Sequence, residues 1–341
     1  MKSIACVALL SATVLSAPVL AEVPQQTPDT YAAAGERVTI APGRALNLRC
    51  SGEGPRTVLL EAGGNADSAT WFRVQSLLGP QARVCAYDRA GYGFSDEGPL
   101  PRNLEADVAD LAALVEAAEL PKPLVLVGHS LGSNIVRAYA QQHPQDVAAL
   151  VLVDPPEQGA EAQLPADWKQ QGEAGRAQRN AFLDGCLAAA EAGTLDAGEG
   201  PLASCLRAAP PWQSAAVAAA TRAYKLKPAY WRTLRSELDA NTAIFASPVP
   251  ETESYGDLPL VVVAAPAAEM PGVPPEVAKA LQAAREQTHT RLAAASRNGR
   301  RLEVPDSSHD VQLDAPEAVA EAVASVLVPE PRARTGSGSL P

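Results

Sequence analysis

Short apolar runs rich in β-branched residues alternate with helical patterns along this chain. The runs cover residues 37–40, 45–50, 57–60, 83–87, 124–127, 149–153, 260–263 and 302–304. The clearest helical patterns cover residues 104–120 and 131–143. Strands that alternate with helices predict an α/β fold with a mostly parallel sheet covered by helices on both faces. A tight turn at residues 41–43 joins the first two runs, which predicts an antiparallel edge.

The block between the sixth and seventh runs differs in composition. Residues 155–258 are rich in Ala, Gln, Glu and Arg, contain no convincing strand, and hold Trp168, Trp212 and Trp231. We expect a helical cap over the sheet, with core segments 36–154 and 259–329 on either side. Residues 22–35 are predicted to be a linker, and residues 330–341 a disordered tail.

The first 21 residues predict a secretory signal peptide rather than folded structure. A positive start at Met1-Lys2 precedes an apolar stretch, and small residues precede a cleavage point after Ala21. A transmembrane anchor is the alternative, but the run is short and is ended by Pro18 and Glu22. We therefore expect export, to the periplasm or the medium, with no stable membrane span after cleavage.

The net charge limits the classes of partner that we expect for this chain. The chain has 28 Lys+Arg against 39 Asp+Glu, a net charge of −11. A binder of nucleic acid needs clustered positive charge, so this class is not expected. A small-molecule substrate is the expected partner, and the sequence carries no signal of an oligomeric state.

Cysteine usage agrees with export. Without Cys6, four cysteines remain, and an even number in an oxidising compartment predicts two disulfides. Three pairings are possible. We favour Cys50–Cys85 and Cys186–Cys205, because each pair falls within one region, and four reduced, buried thiols are the alternative.

The chemistry is concentrated in a Gly-x-Ser-x-Gly pattern at residues 128–132. The pattern follows a strand-like run and precedes a helix-like run, which is the setting of a nucleophile elbow. Ser130 is then the candidate nucleophile, and the N–H groups of the following helix favour negative charge beside it. A serine that merely caps a surface helix is the alternative.

A serine hydroxyl needs a base, and the chain has only four histidines. His129 is expected to point away from the site, His143 to sit at a helix end, and His289 to lie on a solvated helix face. His309 follows the last strand-like run, where catalytic side chains gather in open α/β sheets. We therefore predict His309 as the base.

The acid and the oxyanion hole complete the predicted site. Asp154 and Glu269 both follow strand-like runs, and either is a candidate to orient His309. The N–H of Leu131 and an N–H from the Gly63-Gly64 loop, with Gly64 as candidate, are expected to bind the oxyanion.

The chain resembles the α/β-hydrolase superfamily. Five blocks carry the resemblance in order: VLLEAGG (58–64), RVCAYDRAGYGFS (83–95), VGHSLG (127–132), LVLVD (150–154) and SHDVQL (308–313). The resemblance implies Ser130 as nucleophile, His309 as base, a cap over about 155–258, and adjacent strands for Cys50 and Cys85. The usual acid loop reads AAPAAE here, with no glycine and a shifted acid, so we favour Asp154 over Glu269.

The resulting prediction is an exported serine hydrolase that cleaves an ester-like bond of a small molecule through an acyl-enzyme on Ser130. Such chemistry requires no cofactor or metal. A serine nucleophile argues against the dehalogenase and epoxide-hydrolase branches. The alternatives are an amidase or peptidase of the same fold and a non-catalytic ligand-binding protein on this scaffold.

Overall fold

The computed structural model describes residues 23–195 and 200–327. The predicted signal peptide (residues 1–21) and the predicted tail (residues 330–341) lie outside these ranges. No helix in the described ranges is both long enough and apolar enough to cross a membrane.

An eight-stranded sheet forms the centre of the fold. Its order is β1-β2-β4-β3-β5-β6-β7-β8. The strands are β1 Glu36–Ala41, β2 Arg44–Ser51, β3 Thr57–Glu61, β4 Arg83–Tyr87, β5 Leu124–His129, β6 Val147–Val153, β7 Leu260–Ala264 and β8 Gly299–Glu303. The β1–β2 pair is antiparallel, as the turn at residues 41–43 predicted, and the β2–β4 pair is antiparallel too. The other pairs are parallel, in agreement with the predicted mostly parallel sheet.

Helices cover both faces of this sheet. The helices of the core are α1 Phe72–Leu78, α2 Leu104–Ala117, α3 Leu131–Gln142, α8 Pro275–Ala294, α9 Val311–Asp314 and α10 Pro316–Leu327. Alternate residues of β3 point to opposite faces, so Leu59 joins the apolar cluster beneath α2 and α3, whereas Val58 and Leu60 join the cluster beneath α1 and α10. The central strands are buried on both faces, which explains their continuous apolar sequence.

The edge strand β8 departs most from its predicted bounds. The sequence indicated 302–304, but the strand begins at Gly299 and ends at Glu303. Arg300 and Arg301 belong to it because an edge strand needs little apolar surface. A hydrophobic pattern therefore detects only its last part.

The described part of the block between β6 and β7 contains no named strand, and its regular elements are helices. They are α4 Ala166–Glu191, α5 Ala215–Lys225, α6 Pro228–Ala240 and α7 Thr242–Ala246. They have an apolar cluster of their own, which includes Leu183, Trp231 and Leu234. Tyr92 from the core joins this cluster, so the cap packs on the core through a shared apolar contact.

Both favoured disulfides are present. Cys50 in β2 lies directly opposite Cys85 in β4, and the two are bonded. Cys186 in α4 is bonded to Cys205 across 19 positions of sequence. The first disulfide ties two strands of the sheet, and the second closes a loop within the cap.

The segment predicted as a linker is held against the body of the protein. Thr27 N donates a hydrogen bond to Trp212 O (2.9 Å), and Ser214 Oγ donates to Asp29 Oδ1 (2.7 Å). Arg73 in α1 donates to Pro24 O (3.2 Å). These contacts tie the segment to both the cap and the core.

Candidate active site

Ser130 occupies a sharp turn between β5 and α3. Its backbone has φ 50° and ψ −122°, a conformation that a residue with a side chain rarely adopts. The neighbouring glycines make the turn possible. A Cβ on Gly128 would meet Gly132 O at 2.4 Å, and a Cβ on Gly132 would meet Ala62 O at 2.6 Å. The Gly-x-Ser-x-Gly spacing thus reflects close backbone packing around the serine.

The structure brings Asp154 and His309 together. Asp154 follows β6 and His309 follows β8, and His309 Nδ1–H donates to Asp154 Oδ2 at 2.5 Å. The Asp154 side chain is 1% exposed, whereas that of His309 is 48% exposed. A buried carboxylate therefore holds one ring nitrogen of a solvent-accessible histidine, and leaves Nε2 with its lone pair.

Glu269 does not take part in this contact. It lies on an exposed loop after β7 and, among the described residues, forms no hydrogen bond to His309. Of the two candidate acids, Asp154 is the one whose geometry fits the orienting role.

Arg285 is a partner of Asp154 that the sequence did not indicate. It lies in α8 and donates a hydrogen bond to Asp154, while Ala265 N donates to Asp154 Oδ1 (3.0 Å). Burial alone would raise the pKa of Asp154, but the hydrogen bonds and charges of His309 and Arg285 lower it below its ordinary value. The carboxylate is thereby kept ionised beside the imidazole.

His129 supports the His309 loop, although we expected it to point away. Its ring is buried, lies 4.7 Å from the His309 ring, and its Nε2–H donates to His309 O (2.9 Å). Burial and the neighbouring His309 lower the pKa of His129 to about 4, so it is neutral near pH 7. Gln312 Nε2 lies 3.4 Å from the other ring nitrogen.

The prediction for His289 was wrong. Its side chain is buried rather than solvated, and Nε2–H donates to Pro155 O (2.7 Å). Burial lowers the pKa of His289 to about 4. His289, Ala284 and Leu292 share the buried face of α8, which the polar composition of this helix concealed. His143 ends α3 and packs on Tyr139, as expected for a residue at the end of that helix.

The two predicted oxyanion donors line the same cavity as Ser130. Leu131 is the first residue of α3, where an N–H has no acceptor within its own helix. Gly64 lies on the opposite loop, and a Cβ there would lie 3.7 Å from Leu131 Cδ2. The next residue is unsuitable as a donor, because Asn65 N already donates to Glu237 Oε1 (3.0 Å).

A buried ion network fixes this loop. Arg89 donates to Glu61 Oε1 (2.8 Å) in the core and to Glu237 Oε2 (2.9 Å) in the cap. It also donates to the carbonyl oxygens of Ala62 (2.6 Å) and Gly63 (2.7 Å). Burial raises the pKa of Glu61 to about 7 despite the attraction of Arg89. Because one guanidinium holds both the loop and the cap, loss of either carboxylate would leave a buried charge incompletely paired.

A cavity of about 700 Å³ extends from Ser130 under the cap. Trp168 and Trp231 line it together with Phe182, Leu183 and Phe245. Trp212 packs against Phe72, with ring centroids 6.1 Å apart. In the ranges 23–195 and 200–327, no three His, Cys, Asp or Glu side chains are grouped so that they could hold a metal ion.

A match to a family model over most of the chain identifies the family. A family model described as alpha/beta hydrolase fold matches residues 56–316 of the 341. The chain belongs to the α/β-hydrolase fold family. The match includes the turn at Ser130 and the loop at His309, so both elements of the candidate site lie within the shared fold.

Curated relatives match this α/β-hydrolase-fold chain over shorter stretches. It is 32% identical over 99 residues to uncharacterized protein YqjL of Bacillus subtilis (strain 168), and 37% identical over 102 residues to lipase LipV of Mycobacterium tuberculosis. These matches cover 29% and 30% of the chain and 39% and 38% of the relatives. The chain thus spans less than half the length of these curated relatives.

Solved structures match the α/β-hydrolase-fold chain almost throughout. An alpha/beta hydrolase from Sphaerobacter thermophilus superposes with TM-score 0.56 at 22% identity, covering 86% of this chain and 100% of that one. Haloalkane dehalogenase DatA from Agrobacterium tumefaciens superposes with TM-score 0.60 at 18% identity, covering 88% and 99%. At such identities the likeness concerns the fold alone.

Proposed function

We propose that the protein is a serine hydrolase that cleaves an ester-like bond of a small molecule. The observation that carries this proposal is the 2.5 Å contact between His309 Nδ1 and Asp154 Oδ2, together with the strained turn that holds Ser130. A serine becomes an activated nucleophile when an imidazole can take its proton and a carboxylate orients that imidazole.

In the first half of the proposed reaction, His309 Nε2 takes the proton of the Ser130 hydroxyl. Ser130 Oγ then forms a bond to the carbonyl carbon of the substrate, and the carbonyl oxygen becomes an oxyanion that accepts hydrogen bonds from the Leu131 and Gly64 N–H groups. When the bond to the leaving alcohol breaks, His309 Nε2–H gives it the proton. The product of this half is an ester of Ser130.

In the second half of the proposed reaction, a water molecule takes the place of the Ser130 hydroxyl as the nucleophile. His309 removes a proton from a water molecule, whose oxygen attacks the acyl carbon. The second tetrahedral intermediate uses the same oxyanion donors, and its collapse returns the proton to Ser130 Oγ and releases the acid. Asp154 stays ionised throughout and stabilises the imidazolium form of His309 each time it arises.

An ester is favoured over an amide on the names of similar proteins. One relative is called a lipase, and Est816, a fold neighbour with TM-score 0.56 and 21% identity, is described as an N-acyl homoserine lactone degrading enzyme. A lipase cleaves a carboxylic ester, and an N-acyl homoserine lactone contains one such ester, in its ring, and one amide. Amidase or peptidase activity would use the same residues. Faster turnover of anilides than of the corresponding phenyl esters would favour this alternative.

Labelling with a fluorophosphonate probe tests the proposed nucleophile. We expect the folded wild-type protein to form a covalent adduct that peptide mapping places on Ser130, because only an activated serine reacts at a useful rate. The His309→Ala variant should lose the adduct, since the hydroxyl then lacks its base. The His143→Ala variant, altered at a histidine outside the site, should label like the wild type.

An absence of labelling on well-folded protein would count against catalysis. The non-catalytic alternative, a ligand-binding protein on this fold, would then gain support, and native mass spectrometry would be the way to look for a retained ligand. Labelling at a serine other than Ser130 would reassign the nucleophile.

We further propose that the protein is exported. The support is the signal-like N-terminus together with two disulfides, because disulfides persist in oxidising compartments. Mass mapping of protein recovered from its host under non-reducing conditions should find Glu22 as the first residue and Cys186 linked to Cys205. An intact N-terminus and free thiols at these positions would contradict export.

A further inference from the structure

The cavity beneath the cap carries more positive than negative side chains, although the whole chain has a net charge of −11. Three carboxylates line it, Glu157, Glu161 and Glu237, against five cations, namely Lys169, Arg176, Arg179, Arg207 and Lys225. An excess of cations on the wall of one cavity in an acidic protein indicates an anionic ligand.

Several of these charged side chains already have partners within the protein. Glu237 is paired with the buried Arg89 (2.9 Å). Arg176 lies 3.9 Å from Glu161, and Arg179 donates to Leu238 O (3.4 Å). The charge that remains available to a ligand must therefore come from other cations of the wall.

Arg207 and Lys225 are such cations. In the part of the chain that the structure describes, neither side chain forms an ion pair or a hydrogen bond. Asp67 attracts Lys225, but its carboxylate is buried and accepts hydrogen bonds from Tyr224 Oη (2.9 Å) and Ala69 N (2.9 Å). Burial and the repulsion of Arg207 together lower the pKa of Lys225, a cost that a bound anion would offset.

Both residues are anchored through their backbones. Arg207 follows Cys205, whose disulfide to Cys186 ties this segment to α4. Lys225 is the last residue of α5, and its carbonyl oxygen accepts a hydrogen bond from Trp231 Nε1 (2.7 Å). Lys225 is thus held at the end of a helix, and the exposed Arg207 lies two residues after the disulfide-bonded Cys205.

The pair adjoins the loop that holds Gly64. Lys225 Nζ lies 5.6 Å from the centroid of the Tyr230 ring, and Tyr230 Oη donates to Asn65 Oδ1 (2.6 Å). His309, in contrast, is half exposed and is not part of the cavity wall. If the leaving alcohol lies on the side of His309, which must protonate it, the acyl group extends into the cavity.

We propose that Arg207 and Lys225 bind a carboxylate at the far end of the substrate's acyl group. The substrate class is then a half-ester of a dicarboxylic acid. This inference rests on the proposed function, because it assigns the acyl side of the cavity from the role of His309. A carboxylate that receives hydrogen bonds from two cations gains more than a neutral chain end can.

A pair of esters of equal shape tests the proposal. Mono(4-nitrophenyl) glutarate carries the carboxylate, and 4-nitrophenyl 5-methylhexanoate replaces it with an isopropyl group. We expect wild-type kcat/KM to be about 10- to 100-fold higher for the glutarate ester, the effect of hydrogen bonds to a charged group. The preference should appear mainly in KM and should fall as sodium chloride is raised, while turnover of the neutral ester stays constant.

Substitution should remove this preference without harming the chemistry. Lys225→Met and Arg207→Gln should each reduce kcat/KM for the glutarate ester about tenfold and leave the neutral ester within about twofold of the wild type. Lys227→Met removes the same charge from an exposed residue outside the cavity wall and should change neither ester. Equal wild-type kcat/KM for the two esters, or equal losses on both in the variants, would overturn the proposal.

A binding measurement separates this proposal from the proposed function. Glutarate itself should bind the wild type in calorimetry, and the Lys225→Met/Arg207→Gln double variant should lose that binding. If neither ester is hydrolysed but glutarate binds in this charge-dependent way, the hydrolase function fails and the anion site stands. If the esters are hydrolysed and glutarate does not bind, the hydrolase stands and the anion site fails.

Discussion

Replacing Ser130 with alanine is expected to lower kcat for ester hydrolysis by about 10⁴- to 10⁶-fold. The substitution removes the atom that forms the acyl-enzyme, and neither His309 nor the oxyanion donors can replace it. What remains is the modest stabilisation that binding and the Leu131 and Gly64 N–H groups give to direct attack by water. Steady-state kinetics on a 4-nitrophenyl ester measures this loss. Active-site titration of the wild type gives the fraction of that protein that is active.

The fold of the alanine variant should be unchanged. Alanine keeps the Cβ that makes φ 50° costly, so the strain in the turn is the same in both proteins. We expect the two melting temperatures to agree within about 2 °C. Ser130→Gly removes that Cβ and should be more stable than Ser130→Ala by about 1 kcal/mol, while being equally inactive.

Ser325→Ala, in α10 and outside the cavity wall, provides the matched control for removal of a serine hydroxyl. It should retain wild-type kcat. Undiminished turnover by Ser130→Ala would exclude the serine of this turn as the nucleophile, and a glycine variant less stable than the alanine variant would contradict the strain argument.

The central fold could be predicted from the sequence because each buried strand can be recognised from its own residues. Strands such as β3 and β5 are buried on both faces, so each is a continuous apolar run that can be recognised without a partner. The edge strand β8 is polar and was only partly found. The buried face of α8 was missed because Thr288 and His289 form hydrogen bonds that join distant parts of the chain.

The candidate site also has one part that could be predicted from the sequence and another that could not. The turn at Ser130 is encoded by neighbouring residues and was located from them. The partners of Asp154 and Arg89 are not neighbours: Arg285 lies 131 positions from Asp154, and Glu237 lies 148 positions from Arg89. Composition and spacing give no signal for such pairs, and for the same reason the choice between Asp154 and Glu269 needed the observed contact with His309.

Replacing Asp154 with asparagine should lower kcat about 10³- to 10⁴-fold. The carboxylate accepts the Nδ1–H of His309 and so keeps the proton off Nε2, the nitrogen that must receive the Ser130 proton. An asparagine amide can donate to Nδ1 instead, which favours the tautomer that cannot act as a base. It also carries no charge to stabilise the imidazolium.

Glu269→Gln is the matched control, because it neutralises the other candidate carboxylate by the same chemical change. Glu269 is exposed, and the structure shows no contact between it and His309. We expect kcat within about twofold of the wild type. A larger loss from Glu269→Gln than from Asp154→Asn would reassign the acid.

The pH dependence of the free energy of unfolding distinguishes loss of the Asp154 charge from a general disturbance of the loop that holds it. Asp154 has a pKa below its ordinary value of 3.8, because its interactions with His309 and Arg285 outweigh the cost of burial. For a lowered carboxyl pKa, the stabilisation is fully present well above 3.8 and is lost as the pH falls through the lower, folded-state value. The wild type should therefore be more stable than Asp154→Asn at pH 7, and this charge-dependent part of the advantage should shrink as the pH falls below 3.8. Chemical denaturation of both proteins at several pH values measures this, and an advantage that is independent of pH would show that the charge of Asp154 is not what its partners stabilise.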